Sequence, residues 1–284
     1  MISLDISDKV RLFYSMILPI LRYRSELWGF HKAVDIERVH TKCLKQLLSV
    51  RQQTSNVCVY GVTGRFPLYG YRQIRIIEYL FKLISSRQSL MYSLYNLKSN
   101  NGAFTNSWTN NVHNLLCELS LPYMIDKNIV SRLDLNLIIQ RIHDQYIQTW
   151  FSELDQSPKL ITYRLYKTSF CYEPYLSRIN NYNLRTCLSR FRCSSHKLFI
   201  EEGRHHNIAR ELRLCKYCNM NMIENEYHFL LVCPFYQDLR RKLLPNYYCS
   251  WPSTHKFVAS MTTNSSALLK RLSSYINSAK KRRI

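Results

Sequence analysis

Apolar residues recur at the spacing of an α-helix along much of this chain, and that spacing constrains the fold more than any other feature. One stripe, which Asp35 could cap at its start, consists of Ile36, Val39, Cys43, Leu44, Leu47 and Leu48. Residues 71–85 repeat the pattern, which is typical of helices that bury one face. Six glycines and eight prolines are too few for a loop-rich or all-β protein of 284 residues. We therefore predict a mainly α fold.

Four residues have the spacing of metal ligands. Cys215 and Cys218 are separated by two residues, His228 follows after nine more, and Cys233 after a further four. Paired cysteines chelate an ion through a tight knuckle, and a short helix capped by Asn225 would bring back the other two ligands. Three thiolates and an imidazole favour zinc over magnesium or calcium, and four protein ligands leave no open position. The sequence therefore predicts a structural zinc ion; the alternative is four unrelated residues in a helical domain.

The other histidines and cysteines are weaker candidates. His205 and His206 are expected to be solvated or paired with carboxylates, and the single cysteines to be small buried hydrophobic residues. The first eight residues lack the layout of a signal peptide, so we expect reduced thiols and a nuclear or cytoplasmic protein. No apolar run reaches the roughly 18 residues of a membrane-spanning helix, and we expect no membrane partner.

The charge is strongly positive. Lys and Arg number 40 against 19 acidic residues, for a formal net charge of +21. Fixed positive charge gains free energy by releasing counterions from phosphates, so the composition favours a nucleic-acid partner over a merely basic surface. The predicted phosphate contacts are Arg190, Arg192, Lys197, Arg204, Arg210, Arg213, Arg240, Arg241 and Lys242. Tyr217, Tyr227 and Tyr236 could stack on unpaired bases or pack in a core.

These patterns predict helical domains with a small zinc-knuckle subdomain near the C-terminus. Helices are expected at about 8–28, broken near Pro19, and at about 107–119 and 131–155. The predicted segments are a helical region at 1–97, a polar linker at 98–110, a helical region at 111–187, a basic zinc-knuckle region at 188–250 and a basic C-terminal tail at 251–284.

Two stretches carry a family resemblance. One runs from Leu188 to Arg204 and continues through the metal ligands in Glu224 to Tyr236. The other is Met16 to Gly29, with residues 36–50 and 65–68 continuing it. The first resembles the C-terminal region of non-LTR (LINE-type) retrotransposon polyproteins, which join an endonuclease, a reverse transcriptase and a zinc knuckle. The second is similar to the segment just after the polymerase palm of the same proteins.

The resemblance covers nearly the whole chain and is looser between residues 86 and 150. It implies a module that binds template RNA or target DNA and is associated with the polymerase part of the same element. The family usually has Gly where Arg24 stands, and Pro where Phe199 and Ala209 stand. Because Gly often occupies a strained backbone conformation, Arg24 is the departure with the clearest structural consequence.

Catalysis is not expected. Polymerases of this type need an Asp-Asp pair and a further Asp to hold two metal ions, and no Asp-Asp dipeptide occurs here. Beyond Cys233 the one acidic residue is Asp238, too few for a metal-dependent nuclease. We therefore predict a non-catalytic nucleic-acid-binding module. The alternatives are a structural fragment that docks on the polymerase, and a decayed retrotransposon remnant without function.

Overall fold

The computed structural model describes residues 6–100, 108–125, 127 and 129–283. Over these residues the chain is mainly helical, as predicted; strands are absent there, and two isolated antiparallel bridges join Thr63 to Tyr172 and Leu214 to Ile223. None of the described helices combines the length and the apolar character needed to cross a bilayer.

The described residues form seventeen α-helices. They are α1 (Ile6–Leu12), α2 (Leu18–Leu21), α3 (Ser25–Trp28), α4 (Val34–Leu48), α5 (Asn56–Thr63), α6 (Leu68–Ser85), α7 (Leu90–Asn100), α8 (Trp108–Glu118), α9 (Arg132–Gln156), α10 (Ile161–Arg164), α11 (Tyr175–Arg178), α12 (Tyr182–Arg192), α13 (Phe199–His205), α14 (Gln237–Leu243), α15 (Asn246–Cys249), α16 (Thr254–Thr262) and α17 (Ser266–Lys281). Phe13–Ile17 and His228–Val232 are π-helical, and Pro122–Met124, Arg210–Leu212 and Pro234–Tyr236 are 3₁₀ turns.

The helices predicted at 71–85, 107–119 and 131–155 correspond to α6, α8 and α9. The single helix expected at 8–28 is instead divided among α1, a π-helical turn, α2 and α3. Its main break follows Leu21 rather than Pro19, since a proline in the first turn of α2 loses no helical hydrogen bond. Arg24, between α2 and α3, has a left-handed backbone with φ 53°, the conformation that favours glycine.

The chain forms two compact units, each assembled from segments far apart in sequence. The larger unit comprises Met1–Arg11, Thr41–Arg65 and Ser152–Ile284, and the smaller unit comprises Leu12–His40 and Phe66–Phe151. The region predicted at 1–97 is thus shared between the units. Of the predicted linker, residues 98–100 end α7 and 108–110 begin α8, while 101–107 lie outside the described residues.

The smaller unit has an apolar core between α6, α8 and α9. Ile77 and Leu80 of α6 are fully buried there with Leu116 of α8 and Ile138 of α9. The start of α6 is held by the carboxylate of Glu37, which accepts the backbone N–H groups of residues 68 and 69 at 3.0 and 2.6 Å. An anion at this position satisfies free N–H groups and complements the helix dipole.

Residues 254–281, within the basic tail predicted at 251–284, instead form two helices of the larger unit, α16 and α17. In α17, Leu269, Leu272, Tyr275 and Ile276 are buried, and the helix packs on α12 and α14. Their spacing of three and four residues is that of an amphipathic helix. The prediction of a tail was based on the terminal run of Lys and Arg and overlooked this apolar face.

A buried ionic triad lies in the core of the larger unit. The carboxylate of Glu173 pairs with Lys167 at 2.7 Å and with Arg192 at 2.8 Å. All three side chains are buried, and the guanidinium of Arg192 also lies over the rings of Tyr166 and Tyr175. Since a lone buried charge is costly, each cation depends on the shared carboxylate.

Candidate metal centre

The four predicted ligands converge on one point. The sulfur atoms of Cys215, Cys218 and Cys233 and a ring nitrogen of His228 all lie within 4.8 Å of one another. The Cys215 and Cys233 sulfurs are 3.9 Å apart, and the Cys218 sulfur is 3.4 Å from Nε2 of His228. A tetrahedral zinc ion would require about 3.8 Å between sulfurs and about 3.6 Å between sulfur and nitrogen. The cluster could therefore hold a metal ion.

The paired cysteines lie in a small hairpin. The bridge between Leu214 and Ile223 closes it, and the backbone N–H of Cys215 donates to the carbonyl of Met222 at 2.8 Å. Because these contacts join the two sides of the loop, residues 216–221 must turn tightly. The turn brings Cys218 back beside Cys215, the arrangement that two cysteines separated by two residues need to share an ion.

A π-helical turn aligns the other two ligands. His228 and Cys233 are five residues apart, which in an α-helix would place their side chains about 140° apart around the axis. Here His228–Val232 is π-helical, and the backbone N–H of Cys233 donates to the carbonyl of His228 at 2.8 Å. The wider turn brings both ligands to one side. Asn225 caps it as predicted, its Oδ1 accepting the N–H of His228 at 2.8 Å, and Pro234 starts the next turn.

Arg240 braces this π-helical turn from inside. Its Nε donates to the carbonyl of Leu230 and a terminal nitrogen donates to the carbonyl of Cys233, both at 2.9 Å. Only 3% of its surface is exposed. The arginine thus donates to one carbonyl inside the π-helical turn and to the carbonyl of the ligand that follows it, which also accepts the N–H of Tyr236 at 3.3 Å.

Glu224 and Arg283 form a second brace, which the sequence interpretation missed. The buried carboxylate of Glu224 pairs with Arg283 and accepts the backbone N–H of Phe199 at 2.7 Å. One of its oxygens lies 3.9 Å from the sulfur of Cys215, and the guanidinium of Arg283 lies 4.5 Å from the ring centre of Tyr217. Partners so far apart in sequence have no periodic spacing that would have revealed them.

Glu226, next to Asn225, has a buried side chain. It accepts hydrogen bonds from Nε2 of His196 at 2.9 Å and from the hydroxyl of Thr162 at 2.8 Å. Burial acts to raise the pKa of Glu226, but the hydrogen bonds, with His196 foremost, bring that pKa below its ordinary value. The loop between the ligands is thereby tied to α10 and to the segment after α12.

The thiols are electrostatically prepared for a cation. The hydrogen bond with Cys233 lowers the pKa of Cys215 to about 3, and the same contact, with burial, raises the pKa of Cys233. A lowered pKa favours the thiolate of Cys215, which is the form that binds metal. Nδ1 of His228 is buried and has no hydrogen-bond partner among the described residues, so packing orients this ring.

The nine predicted phosphate contacts differ in their surroundings. Three of these arginines bond oxygen atoms of the protein itself: Arg192 in the ionic triad, Arg240 on the π-helical turn, and Arg213 on the carbonyls of Ile200 and Ile208. Each of these guanidinium groups donates hydrogen bonds to oxygen atoms of the protein. A phosphate that took the place of these oxygen atoms would have to break those bonds first.

The other six predicted cations reach the surface. Lys197, Arg241 and Lys242 are exposed and Arg210 is half-exposed. Arg204 pairs with Glu201 at 2.9 Å, and Arg190 donates to the carbonyl of residue 49 at 2.7 Å. The three predicted stacking residues instead pack within the protein: Tyr236 is buried against Phe229, Tyr217 lies against Phe235, and Tyr227 lies against Phe257.

Comparison of the chain with protein-family models, with curated proteins and with solved structures gives no match. The resemblance to non-LTR retrotransposon polyproteins therefore rests on the residues quoted for it.

Proposed function

We propose that this chain is a non-catalytic nucleic-acid-binding module whose C-terminal part is held together by a structural zinc ion. Three thiolates and one imidazole are the donor set that zinc prefers in closed sites, and they leave no open position for a substrate or for water. The resemblance to retrotransposon polyproteins supports template RNA or target DNA as the ligand.

One observation carries the proposal: a basic face formed by α14 and α17. Nε of Arg271 in α17 donates to the carbonyl of Leu243 in α14 at 3.0 Å, and Arg282 pairs with Asp238, so the two helices lie side by side. Asp238 is the one acidic residue in the two helices. The exposed cations that form the basic face are Arg241, Lys242, Lys270, Arg271 and Lys281.

These cations follow the axis of α17. Lys270 and Lys281 are eleven residues apart, about three helical turns, which returns them to the same side of the helix. Arg241 and Lys242 stand near the other end of the α14–α17 contact from the Arg282–Asp238 pair. A row of exposed cations with little opposing charge is the electrostatic signature of phosphate binding.

The metal centre and the basic face share α14. Arg240 turns inward to the carbonyls of Leu230 and Cys233, while the next residue, Arg241, is exposed on the basic face. If residues 228–233 lost their order without zinc, α14 would lose the contacts that Arg240 makes with them, and Arg241 and Lys242 on the same helix would no longer be held in place. We expect removal of zinc to weaken nucleic-acid binding through this connection.

The test is a filter-binding titration of single-stranded RNA and DNA at several salt concentrations. Each neutralised phosphate contributes about −0.7 to the log–log salt slope on single strands, so five contacts give a slope of about −3.5. The double variant R241Q/K242Q should bind all sequences more weakly, with a slope shallower by about 1.4.

The matched control is K9Q/R11Q, which removes the same charge from two exposed positions of α1. It should change the slope far less than R241Q/K242Q. A flat salt response of the unmodified chain would contradict nucleic-acid binding. Metal analysis of the purified protein tests the ion, with one zinc per chain expected, and primer-extension and nuclease assays with magnesium or manganese should show no activity.

A second candidate, a protein-docking function, is favoured by an exposed apolar stripe in the smaller unit. Met16, Ile20, Tyr23 and Leu27 are between 51% and 74% exposed and follow a spacing of three and four residues. Such a stripe is typical of a surface that another protein covers, and the resemblance implies the polymerase part as that protein. Failure to bind single strands at low salt, together with self-association that Ile20→Glu abolishes, would favour docking.

A further inference from the structure

A concave site lies between α12 and α17, apart from the basic face. Its floor is apolar and includes Cys187, Phe191 and Ile276. Four cations surround this floor: Arg190, Lys197, Lys280 and Arg283. Cations at the edge of an apolar depression act through a medium of low dielectric, where their attraction for an anion is stronger than on an open surface.

Three of these cations lack a carboxylate partner among the described residues. Arg283 is neutralised by Glu224, whereas Nε of Arg190 donates to the backbone carbonyl of residue 49. Lys197 is exposed and Lys280 half-exposed, with no ion pair to either in the described part of the chain. Arg190 and Lys280 both lie close enough to Cys187 to oppose the rise of its pKa that burial causes. The charges of Arg190 and Lys280 therefore both lie near the floor of the site.

We propose that this site, the α12–α17 pocket, binds a terminal phosphate monoester of a nucleic-acid strand. Three unpaired cations match a monoester dianion better than the single charge of an internal diester. Phe191 and Ile276 line the floor of the pocket and offer no polar group, so the cations around them would hold the anion. The proposal rests on the proposed nucleic-acid binding, and it places the terminal phosphate of the strand in the α12–α17 pocket.

The experiment compares short single-stranded oligonucleotides that differ only at their ends, with fluorescence anisotropy as the measurement. A strand with a 5′- or 3′-phosphate should bind about tenfold more tightly than the same strand with hydroxyl ends, as expected for charge-assisted hydrogen bonds. A hydroxyl-ended strand one nucleotide longer, which adds a diester charge but no monoester, should bind nearly as weakly as the shorter strand.

The variant K197Q/K280Q removes two charges of the pocket, and the preference for phosphorylated ends should fall to about twofold or less. The matched control K270Q removes a charge from α17 outside the pocket; it should weaken all strands alike and leave the preference unchanged. Equal affinity for phosphate and hydroxyl ends, or a preference that K197Q/K280Q does not reduce, overturns the pocket while leaving nucleic-acid binding in place. Absence of binding to every strand overturns both proposals.

Discussion

Substitution of two adjacent arginines, Arg240 and Arg241, should impair two different properties of the protein. Replacing Arg240 with Met keeps much of the aliphatic stem but removes the guanidinium that bonds the carbonyls of Leu230 and Cys233. Replacing the exposed Arg241 with Met removes the same charge from the surface. We expect Arg240→Met to destabilise the folded protein and Arg241→Met to weaken nucleic-acid binding.

The magnitude follows from the two hydrogen bonds. A buried acceptor left without its partner costs about 1–3 kcal/mol, and bonds to a charged donor lie toward the upper end. Arg240→Met leaves the carbonyl of Leu230 without its side-chain donor, while the carbonyl of Cys233 keeps the N–H of Tyr236 at 3.3 Å. We therefore predict a loss of about 2 kcal/mol in the free energy of unfolding. Because the carbonyl at Cys233 belongs to a metal ligand, the zinc affinity should fall as well. Arg241→Met should change the free energy of unfolding by less than about 0.5 kcal/mol.

Urea denaturation of the zinc-loaded variants measures the first effect, and competition with a chromophoric chelator measures zinc affinity. Filter binding at saturating zinc measures the interaction with single strands. Equal stabilities of the two variants would refute the bracing role of Arg240. A larger binding defect in Arg240→Met than in Arg241→Met, with both folded and zinc-loaded, would refute the division of roles.

Three further changes have defined outcomes. Cys218→Ser should speed amide exchange in the hairpin of residues 214–223 but leave exchange in α6 unchanged, because this hairpin buries few apolar groups without an ion. Glu173→Gln should lower the free energy of unfolding by about 3 kcal/mol in urea, since it leaves two buried cations without their carboxylate. Hydrogen bonds, first from Lys127, lower the pKa of Asp134 to about 2. Their stabilisation is present above the ordinary pKa and is lost as the pH falls toward 2, and Lys127→Met should raise the pKa in a carboxyl NMR titration.

Local features of this protein could be predicted from its sequence because they depend on neighbours within one helical turn. The apolar spacing located α6, α8 and α9 to within a few residues. The spacing of Cys215, Cys218, His228 and Cys233 selected four residues that the structure brings within 4.8 Å. The Asn225 cap was also predicted, since a capping side chain bonds a backbone group only three residues away.

The roles of the arginines were decided only by the tertiary structure. In the sequence, Arg192, Arg240 and Arg241 look alike. In the fold, Arg192 pairs with the carboxylate of Glu173, nineteen residues earlier, and Arg240 donates to the carbonyls of Leu230 and Cys233. Arg241 stays exposed to water. Likewise, Arg283 joins the metal centre through Glu224, a residue fifty-nine positions earlier.

The sequence by itself determined the helical character of this protein and the four residues of a cluster that could hold a metal ion, because periodicity and ligand chemistry are properties of the chain. The tertiary structure alone decided which cations remain free for a partner. A guanidinium is stable wherever oxygen atoms replace its water, and contacts between distant segments determine where such oxygens lie.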